Sequence, residues 1–361
     1  MANKLFIPGP TEVRQEILKE LSTPQIGHRT GEFRELFGGL KPGLRKLFYT
    51  KNDVLISASS GSGFWEGAVR NCVSGKVLHA VNGFFSKKWA SVSESCGKAA
   101  GKIEFAWGKP VDPAAVDKAL SSGEYDAFCM VHNETSTGVK SDLLAISKVM
   151  KKYPQVIWIV DAVSSLAGTK IEVDNLGIDI CLASSQKAIA LPAGIAVASI
   201  SAKAYQRAES VKGRGYYFDF LELKKAYDKD ETPYTPCIPH LFALRKQLLR
   251  MDEEGLDKRF ARHKEMAEYA REWAISNGFA MFSAEGCHSD TVSCISNTKK
   301  LDFKAIKKDM AKKGYSIDSG YGKMNEKLEA EGKPNTFRIA HMGDITLDEV
   351  KDLCEKLEEY F

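Results

Sequence analysis

Short apolar runs recur through the first two thirds of the chain at intervals long enough for one helix each, and this rhythm restricts the fold more than any single motif. Leu55-Ile56-Ser57-Ala58, Val77 to Val81, Ile103 to Ala106, Ala127 to Val131, Val156 to Val160, Ile180-Cys181-Leu182 and Ala196 to Ile200 read as strands. A strand, a helix-length segment and another strand return the chain in the same direction, so the series predicts an α/β fold with a mostly parallel sheet and helices on both faces. Past about residue 245 the pattern changes to one long charged helix, Leu248 to Asn277, a strand at Thr291 to Ile295 and a last helix, Leu347 to Tyr360. We therefore expect a large α/β domain over 15–245 and a smaller α+β domain over 246–361. The charged stretch Asn325 to Asn335, ending near Pro334, reads as an exposed loop.

Composition narrows the function by exclusion. A formal charge of +4 is spread over pairs such as Lys151-Lys152, Lys307-Lys308 and Lys312-Lys313, which suits solvated helix faces and not a nucleic-acid track. No run approaches the roughly 20 apolar residues of a membrane span. Met1 to Pro8 lacks the apolar stretch of a signal peptide, so a cytoplasmic location is expected. The eight cysteines are scattered without a Cys-x-x-Cys pair, so neither a disulfide framework nor a metal site is expected.

Chemistry enters at two neighbouring strand ends. Asp161 closes the run Val156 to Val160, and Lys187 follows the strand at 180–182 within Ser185-Gln186-Lys187. In a parallel sheet both fall in the crevice outside the carboxyl ends of the strands, as does Thr135. A lysine amine becomes a nucleophile where burial or neighbouring positive charge lowers its pKa from about 10, and such lysines form Schiff bases. An aspartate at a buried strand end suits a cationic partner such as the protonated ring nitrogen of pyridoxal phosphate. The turn Ser59-Ser60-Gly61-Ser62-Gly63 leads from a strand into the helix opening at Phe64, and backbone N–H groups, hydroxyls and the helix dipole converge on an anion at such a place. By itself a Ser/Gly-rich turn is more often only a turn.

The ordered set Ser60-Gly61-Ser62, His132 to Gly138, Val160 to Ser165, Ser185-Gln186-Lys187 and Phe337 to His341 resembles the class V aminotransferases. It is most similar to the alanine–glyoxylate and serine–pyruvate group, with phosphoserine aminotransferase-like members beside it. The resemblance runs from Pro8-Gly9-Pro10 to the C-terminus and implies a fold-type I pyridoxal-phosphate-dependent transferase. It implies pyridoxal 5'-phosphate bound as a Schiff base to Lys187, with Asp161 on the pyridine nitrogen, Val163 and Phe85 on the ring faces and Thr135 near the phenolic oxygen. Ser60, Gly61, Ser62 and Gln186 would hold the phosphate. Thr235 would reach it from the partner subunit of a homodimer, and residues 1–14 would lie near the site. Arg338 would grip the substrate carboxylate, for which a planar bidentate donor is suited.

Each assignment has a plainer rival: Arg338 as a surface ion pair, Phe85 and Val163 as ordinary core. His28-Arg29 reads equally as a hydrogen-bonded loop or as a contact to a second substrate anion, and Lys323 and His341 are open in the same way. The implied reaction moves an amino group from a small amino acid, alanine or serine, to a small 2-oxo acid, glyoxylate or pyruvate, in two half-reactions. Phosphoserine with 2-oxoglutarate is the alternative, because His28 and Arg29 could meet a second anion. A cysteine desulfurase or another lyase is the remote one: no cysteine lies between Ser316 and Arg338 to act as the sulfur nucleophile.

Overall fold

The computed structural model describes residues 3–361. Its centre is a seven-stranded sheet formed by β1 (Asp53–Ser57), β2 (Lys76–Val81), β3 (Ala99–Glu104), β4 (Ala127–Val131), β5 (Ile157–Asp161), β6 (Ile180–Ser184) and β7 (Ala196–Ile200). Their spatial order is β1-β7-β6-β5-β4-β2-β3. The run from β6 to β3 is parallel, and only β7 is antiparallel to its neighbours. β4, β5, β6 and β7 are buried along their whole length, which explains why they appear in the sequence as unbroken apolar runs. β3 is an edge strand and alternates with exposed residues. The apolar signal at 103–106 therefore overshoots it: pairing with β2 starts at Ala99 and stops at Glu104.

α1 (Gly31–Phe48), α2 (Gly61–Cys72) and α3 (Phe84–Ser95) pack against the sheet, and the helix expected over 248–277 is two helices. α4 (Ile238–Glu254) runs through position 246, and α5 (Leu256–Ser276) follows it across Gly255, whose φ of +80° ends the first helix. A three-stranded antiparallel sheet follows, with β8 (Ala280–Met281), β9 (Val292–Ser296) and β10 (Thr336–Ala340) in that order. α6 (Gly322–Ala330) occupies most of the segment expected to be a loop, and α7 (Leu347–Glu358) closes the chain. The charges that made 325–335 look like a loop are lysines and glutamates, which are good helix formers and leave only Met324 buried on α6.

Two apolar clusters fill the molecule. One packs the large sheet against its helices; the other joins Phe6, Met266, Trp273, Ile295, Phe337 and Leu353 around the small sheet. Lys4–Leu5 pairs in parallel with Tyr315–Ser316, so the N-terminal segment starts on the small sheet before crossing to the large one. None of the helices among the described residues is long and apolar enough to cross a membrane.

Candidate active site

The carboxyl ends of the parallel strands open on a cavity of about 310 Å³ lined by Ser60, Gly61, Ser62, Phe85, Thr135, Asp161, Val163, Gln186 and Lys187, among others. Nine of the expected residues thus share one wall, though they are separated by up to 127 positions in the chain. The topology makes this possible, because β1, β2, β4, β5 and β6 all deliver their following residues to the same edge of the sheet.

Asp161, the last residue of β5, is buried, and its two oxygens accept the indole Nε1–H of Trp65 at 2.7 Å and the backbone N–H of Val163 at 2.7 Å. Burial raises its carboxyl to about 7 against the pull of those two donors and of Lys187. Lys187 stands three residues beyond β6 and donates from Nζ to the carbonyl of Pro8. Burial brings its amine down to about 8, assisted by the charge of Arg338 and opposed by Asp161 and Asp318. Such a lysine is in part a free base near neutral pH. The backbone around it is tied twice by Thr11, whose N–H reaches Gln186 O at 3.1 Å and whose Oγ1 reaches Lys187 O at 3.0 Å. Gly9 packs against the same lysine: at φ +121° a Cβ there would lie 2.7 Å from Nζ, so neither the backbone nor the space allows another residue.

α2 begins at Gly61 with Ser60 as an N-cap that makes no side-chain hydrogen bond to the helix. Its first turn therefore presents its donors to the cavity, where an anion is favoured. Phe85 is fixed through its backbone. Glu134 accepts from the N–H groups of Phe85 and Ser86 at the start of α3 and from Ser136, pinning the strand-end segment that carries Thr135 to the helix that carries Phe85. Thr135 Oγ1 lies 2.6 Å from Ser164 Oγ.

Four residues of the site were not singled out in the sequence. Trp65 sits in the apolar opening of a helix that looks like core, and Asp318 lies in a segment without a motif. Ser164 and Asn133 belong to the motifs 160–165 and 132–138, where nothing in the local sequence assigns them a role. Asn133 is buried, lines the cavity, and neither its amide oxygen nor its amide nitrogen has a partner among the described residues. A buried amide with neither end satisfied needs a bound polar group. A cofactor with a phosphate, a ring nitrogen, a phenolic oxygen and an aldehyde fits the donor set of Ser60 to Ser62, Asp161, Asn133 with Thr135, and Lys187.

Arg338, in the middle of β10, is buried behind the wall and contacts it by donating from Nη1 to Thr135 O at 2.9 Å. It is no surface residue; its ion-pair partner is Asp318, held by Nε at 2.8 Å and Nη2 at 3.1 Å. Thr235 is exposed and lines a separate depression with Ser57 and Ala58, outside the cavity of its own chain. Arg29 donates to the carbonyls of Thr232 and Pro233 and pairs with Glu231, so it belongs to the Thr235 segment and not to this cavity. His28 lies beside it and likewise lines no part of the cavity. His341 is buried against Ser293, with burial lowering its ring to about 3, so it is neutral and offers no cation. Lys323 is exposed on α6.

The class V aminotransferase family model matches residues 73–353. A serine–glyoxylate aminotransferase of Hyphomicrobium methylovorum is 35% identical, over 96% of this chain and 86% of that protein. The soluble hydrogenase 42 kDa subunit of Anabaena cylindrica is 32% identical, over 98% and 92%. Among solved structures, a phosphoserine aminotransferase of Cytophaga hutchinsonii superposes with a TM-score of 0.89 at 27% identity, over 99% of this chain and 98% of that one. With a lysine and an aspartate at adjacent strand ends of a fold-type I sheet and a family match across most of its length, the chain belongs to the class V aminotransferases.

Proposed function

We propose that this aminotransferase binds pyridoxal 5'-phosphate at Lys187 and moves an amino group from a small amino acid, alanine or serine, to glyoxylate or pyruvate. The observation that carries the cofactor assignment is the cavity itself, where Lys187, Asp161, the unpartnered Asn133 and the open first turn of α2 face one another. The small-substrate reading is supported by Arg338, whose charge is already matched by Asp318.

Bound there, the cofactor supplies the electron sink for the pair left when the substrate's Cα–H bond breaks. Lys187 would hold the cofactor through Nζ; released by the substrate's amino group, its free amine would take the proton from the substrate's Cα and hand it on, and in the second half-reaction it would return a proton to Cα. Asp161 keeps a proton on the pyridine nitrogen. Val163 and Phe85 cover the ring faces and exclude water, and Ser60, Gly61, Ser62 and Gln186 hold the phosphate. Arg338 orients the carboxylate of donor and acceptor alike.

Thr235 completes the phosphate site of a second copy, so the working unit is a homodimer. His28 and Arg29 travel with Thr235 to that copy's cavity. Such a placement would favour phosphoserine as donor, because it would bring a cation near the far end of the substrate. A desulfurase is disfavoured by Cys294, which pairs across the small sheet with Arg338: its thiol is buried and pushed up to about 12, no nucleophile at neutral pH. The deciding experiment follows the visible absorbance of the cofactor-loaded protein as alanine, serine, phosphoserine and glutamate are added singly. Conversion by alanine or serine supports the proposal; conversion by phosphoserine alone overturns it in favour of the alternative.

A further inference from the structure

Asp318 has so far only balanced the charge of Arg338, yet it is the nearest fixed charge to the arginine that would receive the substrate. It engages the Nε–Nη2 edge of Arg338 in a bidentate pair, and with Thr135 O on Nη1 this leaves one N–H on each of Nη1 and Nη2 for a ligand. The aspartate is a fixture of the fold. Its Oδ1 also accepts the N–H of Gly320 at 2.8 Å, and its carbonyl accepts the N–H of Arg338 at 3.1 Å across a backbone bridge. The loop behind it is sewn to β10: Asn325 Nδ2 holds Ser319 O at 3.0 Å and Thr336 O at 2.9 Å. Gly320, at φ +87°, lies so close that a Cβ would stand 2.1 Å from Thr336 O. An incoming carboxylate therefore does not displace Asp318; it binds beside it.

We infer that Asp318 is a specificity-determining residue, whose fixed negative charge on Arg338 selects substrates carrying a single carboxylate and disfavours those with a second anionic group. The inference rests on the assignment of Arg338 to the substrate carboxylate. An isolated guanidinium would attract every added negative charge; a guanidinium already matched by Asp318 binds the α-carboxylate through directed hydrogen bonds, and with that carboxylate bound the three groups together are net negative, which a further anion meets. That field reaches the reacting centre, since Asp318 is among the charges acting on Lys187.

The test compares two substrates within each variant, so that looser positioning of Arg338, which affects both alike, drops out of the ratio. In full-length protein loaded with pyridoxal phosphate, conversion of the cofactor is measured with alanine and with aspartate for wild type, Asp318→Asn and Asp318→Glu. Asp318→Asn is expected to raise the aspartate-to-alanine ratio of kcat/KM about ten-fold, the effect of one charge acting across several ångströms in a partly buried site. Asp318→Glu, which keeps the charge, should leave the ratio within about two-fold. The same ratio is read without turnover from the concentrations of propanoate and succinate that perturb the cofactor's absorbance, and a relative gain for succinate in Asp318→Asn is expected. An unchanged or falling ratio in both measurements overturns the inference. Failure of the parent assignment looks different: wild type and Arg338→Gln would respond equally to propanoate, and the role of Asp318 would fall with it.

Discussion

Two of the places where this molecule buries charge treat it in opposite ways. Behind Lys187, where α5 meets the segment before α7, Arg259 is 2% exposed and donates to Ala167 O, Ala188 O, Glu254 and Asp344, all within 3.0 Å. Asp344 in turn accepts from Gln247. At the cavity a few residues away, Asp161 is pushed up to about 7, Lys187 is brought down to about 8, and the side-chain amide of Asn133 has no partner among the described residues. The first arrangement satisfies its charges within the chain and so fixes the backbone that carries Lys187; the second leaves groups unsatisfied because a ligand is to satisfy them. Buried polarity by itself marks neither function nor stability. What distinguishes them is whether the partners are already in the chain.

The contrast is broken most directly by Lys187→Ala, which should lower transamination by at least about 10³-fold while the cofactor-free protein melts no lower than wild type, since a desolvated amine has been removed. Substantial retained activity would end the mechanism, and a large loss of melting temperature would show Lys187 to be structural. Arg259→Met should do the reverse, destabilising the fold by about 3–5 kcal/mol because Asp344 and Glu254 lose their buried counter-charge. If denaturant unfolding finds it as stable as wild type, the two regions do not differ as argued.

Asp161→Asn sharpens the contrast through pH. The folded pKa of Asp161 lies above its unfolded value of 3.8, so its ionised form opposes folding, and the penalty is absent below pH 3.8 and complete above about pH 7. Cofactor-free Asp161→Asn should therefore match wild type near pH 4 and exceed it by a few kcal/mol at pH 8, while losing transamination. Parallel stability curves across that range would contradict it. The smallest expected effect is that of Trp65→Phe, which removes one indole N–H from Asp161 and should weaken cofactor binding by about ten-fold, the worth of one hydrogen bond to a charged group. Titration of the apoprotein with pyridoxal phosphate measures it, and unchanged affinity would show that the bond is incidental.

Much of the site was legible because a parallel sheet converts sequence order into place. Parallel strands bring the residues following β1, β4, β5 and β6 to one edge, and the residue types there, Lys187 and Asp161 above all, suggest the chemistry proposed for them. Misreadings occurred where local signals mislead. β3 is an edge strand with no need to be apolar. α6 is a charged helix with one buried residue, and a single glycine divides α4 from α5.

Fold class, the position of Lys187 and Asp161 at neighbouring strand ends, and membership in a family are readable from the chain's residues alone. The partners of those groups emerge only on folding: Trp65 on Asp161 across 96 residues, Asp318 on Arg338, the Asn133 amide facing the cavity unpaired among the described residues, and Arg29 turned to Thr232 and Pro233. Strand ends are placed by connectivity, which is local and periodic. Side-chain partners depend on the register and packing of segments distant in the chain, set by the sum of many weak contacts that no short stretch of sequence contains.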